Sequence, residues 1–148
     1  MKSEFGVLVL AILLGGCAAA TPTFNASGAS SSSSQDLACL LPTNCVNSLD
    51  TGGLGPLQYA GTPAQALNML RATLATFPEA TVVRAEPLSL ELIFTTPIGF
   101  RDYVDFRIDV PAQRIDFRSR SQFGLFDFGK NRSRMQEFAT RFVQQSRR

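Results

Sequence analysis

The sequence predicts an α+β domain. An antiparallel sheet of about four strands carries an N-terminal and a C-terminal helix on one face, making a two-layer sandwich. Three observations lead there. Leu67, Leu70, Leu74 and Phe77 recur at helical spacing behind a helix-start signal. Met135, Phe138, Ala139, Phe142 and Val143 repeat that spacing near the C terminus. Between them lie four short β-branched or alternating segments joined by turns, the pattern of an antiparallel sheet with one buried face. A chain of 148 residues with 45% hydrophobic and 18% charged residues has room for one such domain.

The first sixteen residues read as an address rather than part of the fold. Phe5 to Leu14 is an uncharged run, too short to span a bilayer as a helix and of the right length for a signal-peptide core. It ends in Leu14-Gly15-Gly16-Cys17, which resembles the lipobox of bacterial lipoproteins. In that family the Cys takes acyl chains such as palmitate and becomes the mature N terminus. Ala18 after the Cys then resembles an outer-membrane signal, so the expected location is the periplasmic face of the outer membrane. Ordinary secretion with Cys17 free is the alternative, because Glu4 cancels Lys2 in the leader. Residues 17–35 contain Ser30 to Ser34 and little apolar area, the composition of a flexible tether. Residues 36–148 are the expected domain.

With Cys17 lipidated, Cys39 and Cys45 remain. An exported chain meets an oxidising compartment, and a six-residue separation closes a short loop, so a disulfide is the natural state of the pair. A redox pair is the weaker alternative, since the spacing is not Cys-x-x-Cys. The turn-rich stretch from Cys39 to Tyr59 is expected to lie as an irregular strap over the domain. Leu40, Leu41, Val46, Leu54, Leu57 and Tyr59 are its points of contact.

Within the domain, Thr62-Pro63-Ala64-Gln65 gives an N-cap Thr, Pro at the first helical position and a capping-box Gln. Pro78 ends that helix. The strands are expected at Thr81 to Glu86, Leu88 to Phe94, Tyr103 to Val110 and Arg114 to Ser121. Val104, Phe106, Ile108 and Val110 alternate with Asp105, Arg107 and Asp109; Ile115, Phe117 and Ser119 alternate with Arg114, Asp116, Arg118 and Arg120. The last helix spans about Asn131 to Gln145, with Asp127, Gly129 or Asn131 as its cap.

Cys39, Asn44-Cys45-Val46-Asn47-Ser48 and Gly55-Pro56-Leu57-Gln58-Tyr59 resemble the opening of the domain-of-unknown-function family numbered 1499. Arg118-Ser119-Arg120-Ser121-Gln122 followed by Gly124, Asp127, Gly129, Asn131-Arg132 and Arg134 resembles its closing motif. Gln122 stands where that motif has Arg. The resemblance implies a bacterial or plastid α+β domain and brings no activity with it.

The composition narrows the chemistry. Without histidine there is no Ser-His-Asp or Cys-His catalysis and no His-containing zinc site. A net charge of +2 is too small to imply nucleic acid. No metal or cofactor is expected. Asp105 and Asp109 share a strand face but stand about 13 Å apart, too far for a close carboxylate pair. The direction of Asp102 is open.

The C-terminal third is basic: Arg114 to Arg148 holds nine cations against three acids, whereas Asp36 to Gln113 holds four Arg against eight acids. Two readings follow. Arg118, Ser119, Ser121, Asp127, Asn131, Arg132 and Arg134 form a structural network, with Arg107 pairing Asp116 or Asp109 and Asp127 pairing Arg132 or Arg134. Alternatively Arg118, Arg132 and Arg134 with the two serine hydroxyls bind a small anionic ligand at the helix N terminus. The structural reading is favoured. Phe100, Phe123, Phe126 and Phe128 close the core under the sheet edge or form an exposed patch; core closure is favoured.

These features point to a lipid-anchored envelope protein that binds a ligand or an envelope protein partner without catalysis. The alternative is an envelope hydrolase using Asp127 or a serine nucleophile with Arg stabilisation. A Ser-Lys arrangement of Ser119 or Ser121 with Lys130 is conceivable, and nothing in the spacing favours it.

Overall fold

The computed structural model describes residues 37–49 and 53–147. The leader, Cys17 and residues 18–36 lie outside the described residues.

The described elements are β1 (Cys45–Asn47), β2 (Leu57–Gln58), α1 (Pro63–Leu74), β3 (Ala80–Glu86), β4 (Ser89–Thr95), β5 (Arg101–Asp109), β6 (Arg114–Ser121) and α2 (Lys130–Gln145). They build an α+β fold in which every strand pair is antiparallel. The sheet has six strands rather than the expected four, in the order β1-β6-β5-β4-β3 with β2 also on β6. The two added strands come from the strap. They are three and two residues long, too short to show alternation, and they form because they cover the otherwise open edge of β6. An edge left bare there would expose a row of unpaired N–H and C=O groups.

The α1 start follows the capping-box reading. The Thr62 hydroxyl accepts the Gln65 N–H, and the Gln65 side chain accepts the Thr62 N–H at 2.8 Å. The helix stops at Leu74, three residues short of Phe77, and a tight turn carries Phe77 onward (Phe77 N–H to Leu74 O, 2.9 Å). Phe77 is still buried, edge-on to Phe94 and stacked near Phe138. One core unites Leu67, Leu70 and Leu74 of α1, Leu90, Leu92 and Phe94 of β4, Val104, Phe106 and Ile108 of β5, Ile115 and Phe117 of β6, and Met135, Phe138 and Phe142 of α2. The strand members share one parity, so both helices pack over one sheet face.

Several local expectations need correction. Leu40 is 93% exposed and Leu41 about half exposed, so the tip of the strap does not touch the core. Fully buried Leu37 is an anchor instead: Asn47 Nδ2 donates to its carbonyl at 2.9 Å. Val110 lies beyond β5, exposed in the turn to β6, where Gln113 adopts φ 49°. Arg107 pairs with Glu91 at 3.1 Å, not with Asp109 or Asp116. Asp116 is committed elsewhere, buried between the Ser48 hydroxyl and Arg114. β3 is exposed along almost its whole length: it is the far edge strand, beyond the cover of the helices, and a bulge breaks its register between Val82 and Arg84.

The Cys39–Cys45 disulfide is present, with the two Cα atoms 5.6 Å apart. Among the described residues, no helix is long and apolar enough to cross a membrane.

Candidate functional site

Strand parity divides the basic motif into two groups. Arg118 stands on the sheet face away from the helices, where its guanidinium grips Asp105 at 2.7 Å, its cross-strand neighbour, and reaches the Ala38 carbonyl at 3.3 Å. Ser119 and Ser121 point the opposite way, beneath the start of α2. A single site joining Arg118 to the two serines, as an anion site would need, is therefore not formed.

The helix side holds a compact polar network centred on fully buried Asn131. Ser119 Oγ donates to Asn131 Oδ1 at 2.6 Å, and Arg134 donates to the same oxygen at 3.2 Å. Asn131 Nδ2 donates to the Asn44 carbonyl and to Ser121 Oγ, both at 3.0 Å. All four capacities of the amide are thereby used. Arg134 completes the group by pairing with Asp102 at 2.7 Å and lying over the Phe94 ring, 4.6 Å from its centroid. β5 starts at Arg101, which fixes the direction left open for Asp102: it shares the parity of Val104 and faces the helix, buried.

Arg134 therefore does not pair with Asp127. Asp127 acts on backbone instead. Its two oxygens accept the Gly129 N–H at 2.9 Å and the Asn131 N–H at 2.8 Å, serving the first turn of α2. The N-cap position itself is Gly129, at φ 75°, a left-handed conformation that glycine adopts without strain. Arg132 lies half-buried on the first turn.

Asn44 is the network member that charge patterning did not single out. Its carbonyl accepts from Asn131 and from Ser121 N–H, and its own amide donates to the Gly124 carbonyl at 2.6 Å. Thr43 hydrogen-bonds the Leu125 carbonyl through its hydroxyl and accepts the Asp127 N–H at 3.2 Å. The strap thus holds the β6–α2 loop by polar bonds.

That loop does not close the core. Phe123 and Phe128 keep 72% and 98% of their surface exposed, and Leu125 and Phe126 about two thirds. Across from it, the β4–β5 turn presents Ile98 and Phe100, also exposed. Between the two runs an open cleft of about 550 Å³, walled by Ile98, Phe100, Phe123, Phe126 and Phe128. Asp102, Ser121 and Asp127 line it too, and Arg101 and Lys130 stand at its edge. The loop stays outside because its residues run through Gly124 and Gly129 at positive φ, and the core beneath is already filled by the rings of Phe94, Phe106, Phe117 and Phe138. The volume is in the range of small-molecule sites, and the lining is mostly apolar with a few polar groups, as such sites are.

Among the described residues, no group of three or more Asp, Glu, Cys or His side chains is placed to hold a metal ion. Asp105 and Asp109 are each committed to an arginine, Asp105 to Arg118 and Asp109 to Arg114 at 3.5 Å.

Comparison with curated proteins and with solved structures finds no match. A family model described as "Protein of unknown function (DUF1499)" matches residues 30–142, most of the chain and all of the strap, sheet and polar network. The chain belongs to the DUF1499 family.

Proposed function

We propose that this protein is a lipid-anchored cell-envelope protein whose domain binds an apolar ligand or partner, without catalysis, in the cleft between the β4–β5 turn and the β6–α2 loop. The observation that carries the reading is the exposure of Ile98, Phe100, Phe123, Phe126 and Phe128 around one concavity. Isolated exposed apolar residues are ordinary, but a contiguous cluster marks a contact surface. Cys17 supplies the anchor through the Leu14-Gly15-Gly16-Cys17 motif, and Ala18 favours the periplasmic face of the outer membrane. Several acyl chains on one residue exceed what stable membrane attachment requires.

The groups that a hydrolase would need are engaged in holding the scaffold. Both Asp127 oxygens take backbone N–H donors, and Ser119 and Ser121 are tied to Asn131. This supports binding over turnover.

Two measurements test the reading. Cys17→Ala should abolish incorporation of labelled palmitate and release the protein from the membrane fraction; a variant that stays labelled and membrane-bound refutes the anchor. A photo-crosslinking phenylalanine analogue at position 126 should form an adduct in the intact envelope, while the same analogue at Val110 should form none. Equal labelling at both positions, or none at either, removes the cleft from the proposal.

A further inference from the structure

The occupant of the cleft can be argued more closely from how its apolar residues are displayed and from the charge around them. We infer that this end of the domain docks onto the bilayer itself: the two loops insert their aromatic tips into the interface of an anionic phospholipid membrane. This deepens the proposed binding function and rests on it.

Three observations favour a bilayer over a soluble ligand. First, the apolar side chains stand outward on loop tips rather than inward. Phe128 at 98%, Ile98 at 80% and Phe123 at 72% exposure present most of each side chain to the surroundings. A small molecule in the concavity would bury only the inner walls, whereas an interface receives the tips as well. The strap extends the same end: exposed Leu40 and Leu41 lie close to Thr43, which is bonded to the Leu125 carbonyl.

Second, the charge at this end suits an anionic surface. Arg101 and Lys130 are exposed at the cleft edge. Of the two acids in its lining, Asp102 is offset by Arg134, and Asp127 keeps its charge while accepting backbone N–H groups, which leaves Arg101 and Lys130 against Asp127. Glu79 lines the adjoining groove together with Lys130 and Arg134. An apolar tip with exposed cations beside it combines insertion with attraction to acidic head groups.

Third, the proposed anchor lies close in sequence. Twenty residue steps separate Cys17 from Leu37, a contour of at most about 70 Å. Confining the domain to a shell of that depth raises the effective concentration of the membrane it would touch, so a modest surface affinity is sufficient.

The chain contains no tryptophan, so one introduced indole reports on one place. The full protein as exported and processed is reconstituted in vesicles of phosphatidylglycerol and phosphatidylcholine, some with brominated acyl chains. Phe126→Trp should show blue-shifted emission quenched by the bromolipid, and Phe123→Trp should repeat it. Val110→Trp, at the far end of β5 and roughly 30 Å away, should show neither effect. Lys130→Gln in the Phe126→Trp background should weaken docking about fivefold on these vesicles, and the difference should vanish on pure phosphatidylcholine. If the Phe126→Trp indole is blue-shifted but escapes the quencher, the cleft holds a different occupant; the bilayer inference falls and the binding function stands. If that indole reports water with and without vesicles, and the crosslinking analogue at position 126 also forms no adduct, both fall.

Discussion

Replacing Asn131 with alanine tests whether the buried motif is structural. The substitution removes an amide that makes four hydrogen bonds at a position with no solvent exposure. The losses are unequal. Arg134 keeps its pairing with Asp102, the Asn44 carbonyl keeps the Ser121 N–H, and half-exposed Ser121 can turn to water. Ser119 is fully buried and loses its side-chain partner among the described residues, an orphaned donor costing about 1–3 kcal/mol. The bond from α2 to the strap through Asn44 adds about 1 kcal/mol. The total is about 3 kcal/mol, out of roughly 5–15 kcal/mol for a domain of this kind. The variant should stay folded at 25 °C and melt roughly 10–15 °C lower. Urea denaturation followed by circular dichroism measures the loss. Adding Ser119→Ala should recover about 1 kcal/mol, because the orphan is removed with its partner. A loss below about 0.5 kcal/mol for Asn131→Ala, or strictly additive single effects, would refute the network as the clamp between α2, β6 and the strap.

Other substitutions should follow burial. Arg134→Met leaves Asp102 buried without its partner and should cost about 3–5 kcal/mol, whereas Arg118→Met, at a more exposed pair, should cost about 1–3 kcal/mol; urea midpoints rank the two. Among the described residues the buried Tyr59 hydroxyl has no hydrogen-bond partner, so Tyr59→Phe should be neutral or stabilising by about 1 kcal/mol. Burial first, and the charge of Asp109 second, raise the Tyr59 pKa above its ordinary 10.0. Above pH 10 the unfolded chain then gives up this proton more readily than the folded one, so stability falls as pH rises, and the variant should flatten that alkaline slope in pH-dependent melts. Reducing the Cys39–Cys45 bond opens a short loop worth about 2 kcal/mol. Hydrogen exchange should then quicken at the Asp127 and Ser121 amides, which donate to Thr43 and Asn44, and leave the β4–β5 ladder unchanged.

What the sequence made legible follows from the range of each signal. Local signals are legible: the Thr62 capping box, the bounds of β6 and the Met135, Phe138 and Phe142 stripe of α2 are set by near neighbours in the chain, although Val143, expected on that stripe, is exposed. So was the disulfide, which needs only a short loop and an oxidising compartment. Partnerships across the fold were not. Arg107 chose Glu91 because β4 flanks β5 on the side opposite β6, and pattern alone does not say which neighbour wins. Asn44 entered the network from a distant loop, through a backbone carbonyl that has no sequence signature. The alternation of Arg118 with Ser119 already placed them on opposite faces, so their separation was readable; grouping both in one anion site ran against strand parity. The aromatic loop was misread for a different reason. Phenylalanine favours burial on average, but burial needs vacant volume, and the helices and sheet had already filled it.

The polar network and the exposed aromatic loop explain one another. A loop that keeps its phenylalanines in water gains little from hydrophobic burial and needs another source of order. Here that source is hydrogen bonding: Thr43 and Asn44 hold Leu125, Asp127 and Gly124 from the strap, and Asp127 holds Gly129 and Asn131 from within the loop. The strap in turn is fixed by the Cys39–Cys45 bond, by pairing of β1 with β6 and by the Asn47 bond to Leu37. Order passes from disulfide to strap to loop without using the apolar side chains, which remain available for contact. With the core volume already filled, each phenylalanine left outside forgoes about 1.5–3 kcal/mol of burial. Keeping several of them outside on a hydrogen-bonded loop is the arrangement of a contact surface, and it explains why a small domain carries so saturated a polar cluster beside an exposed aromatic loop.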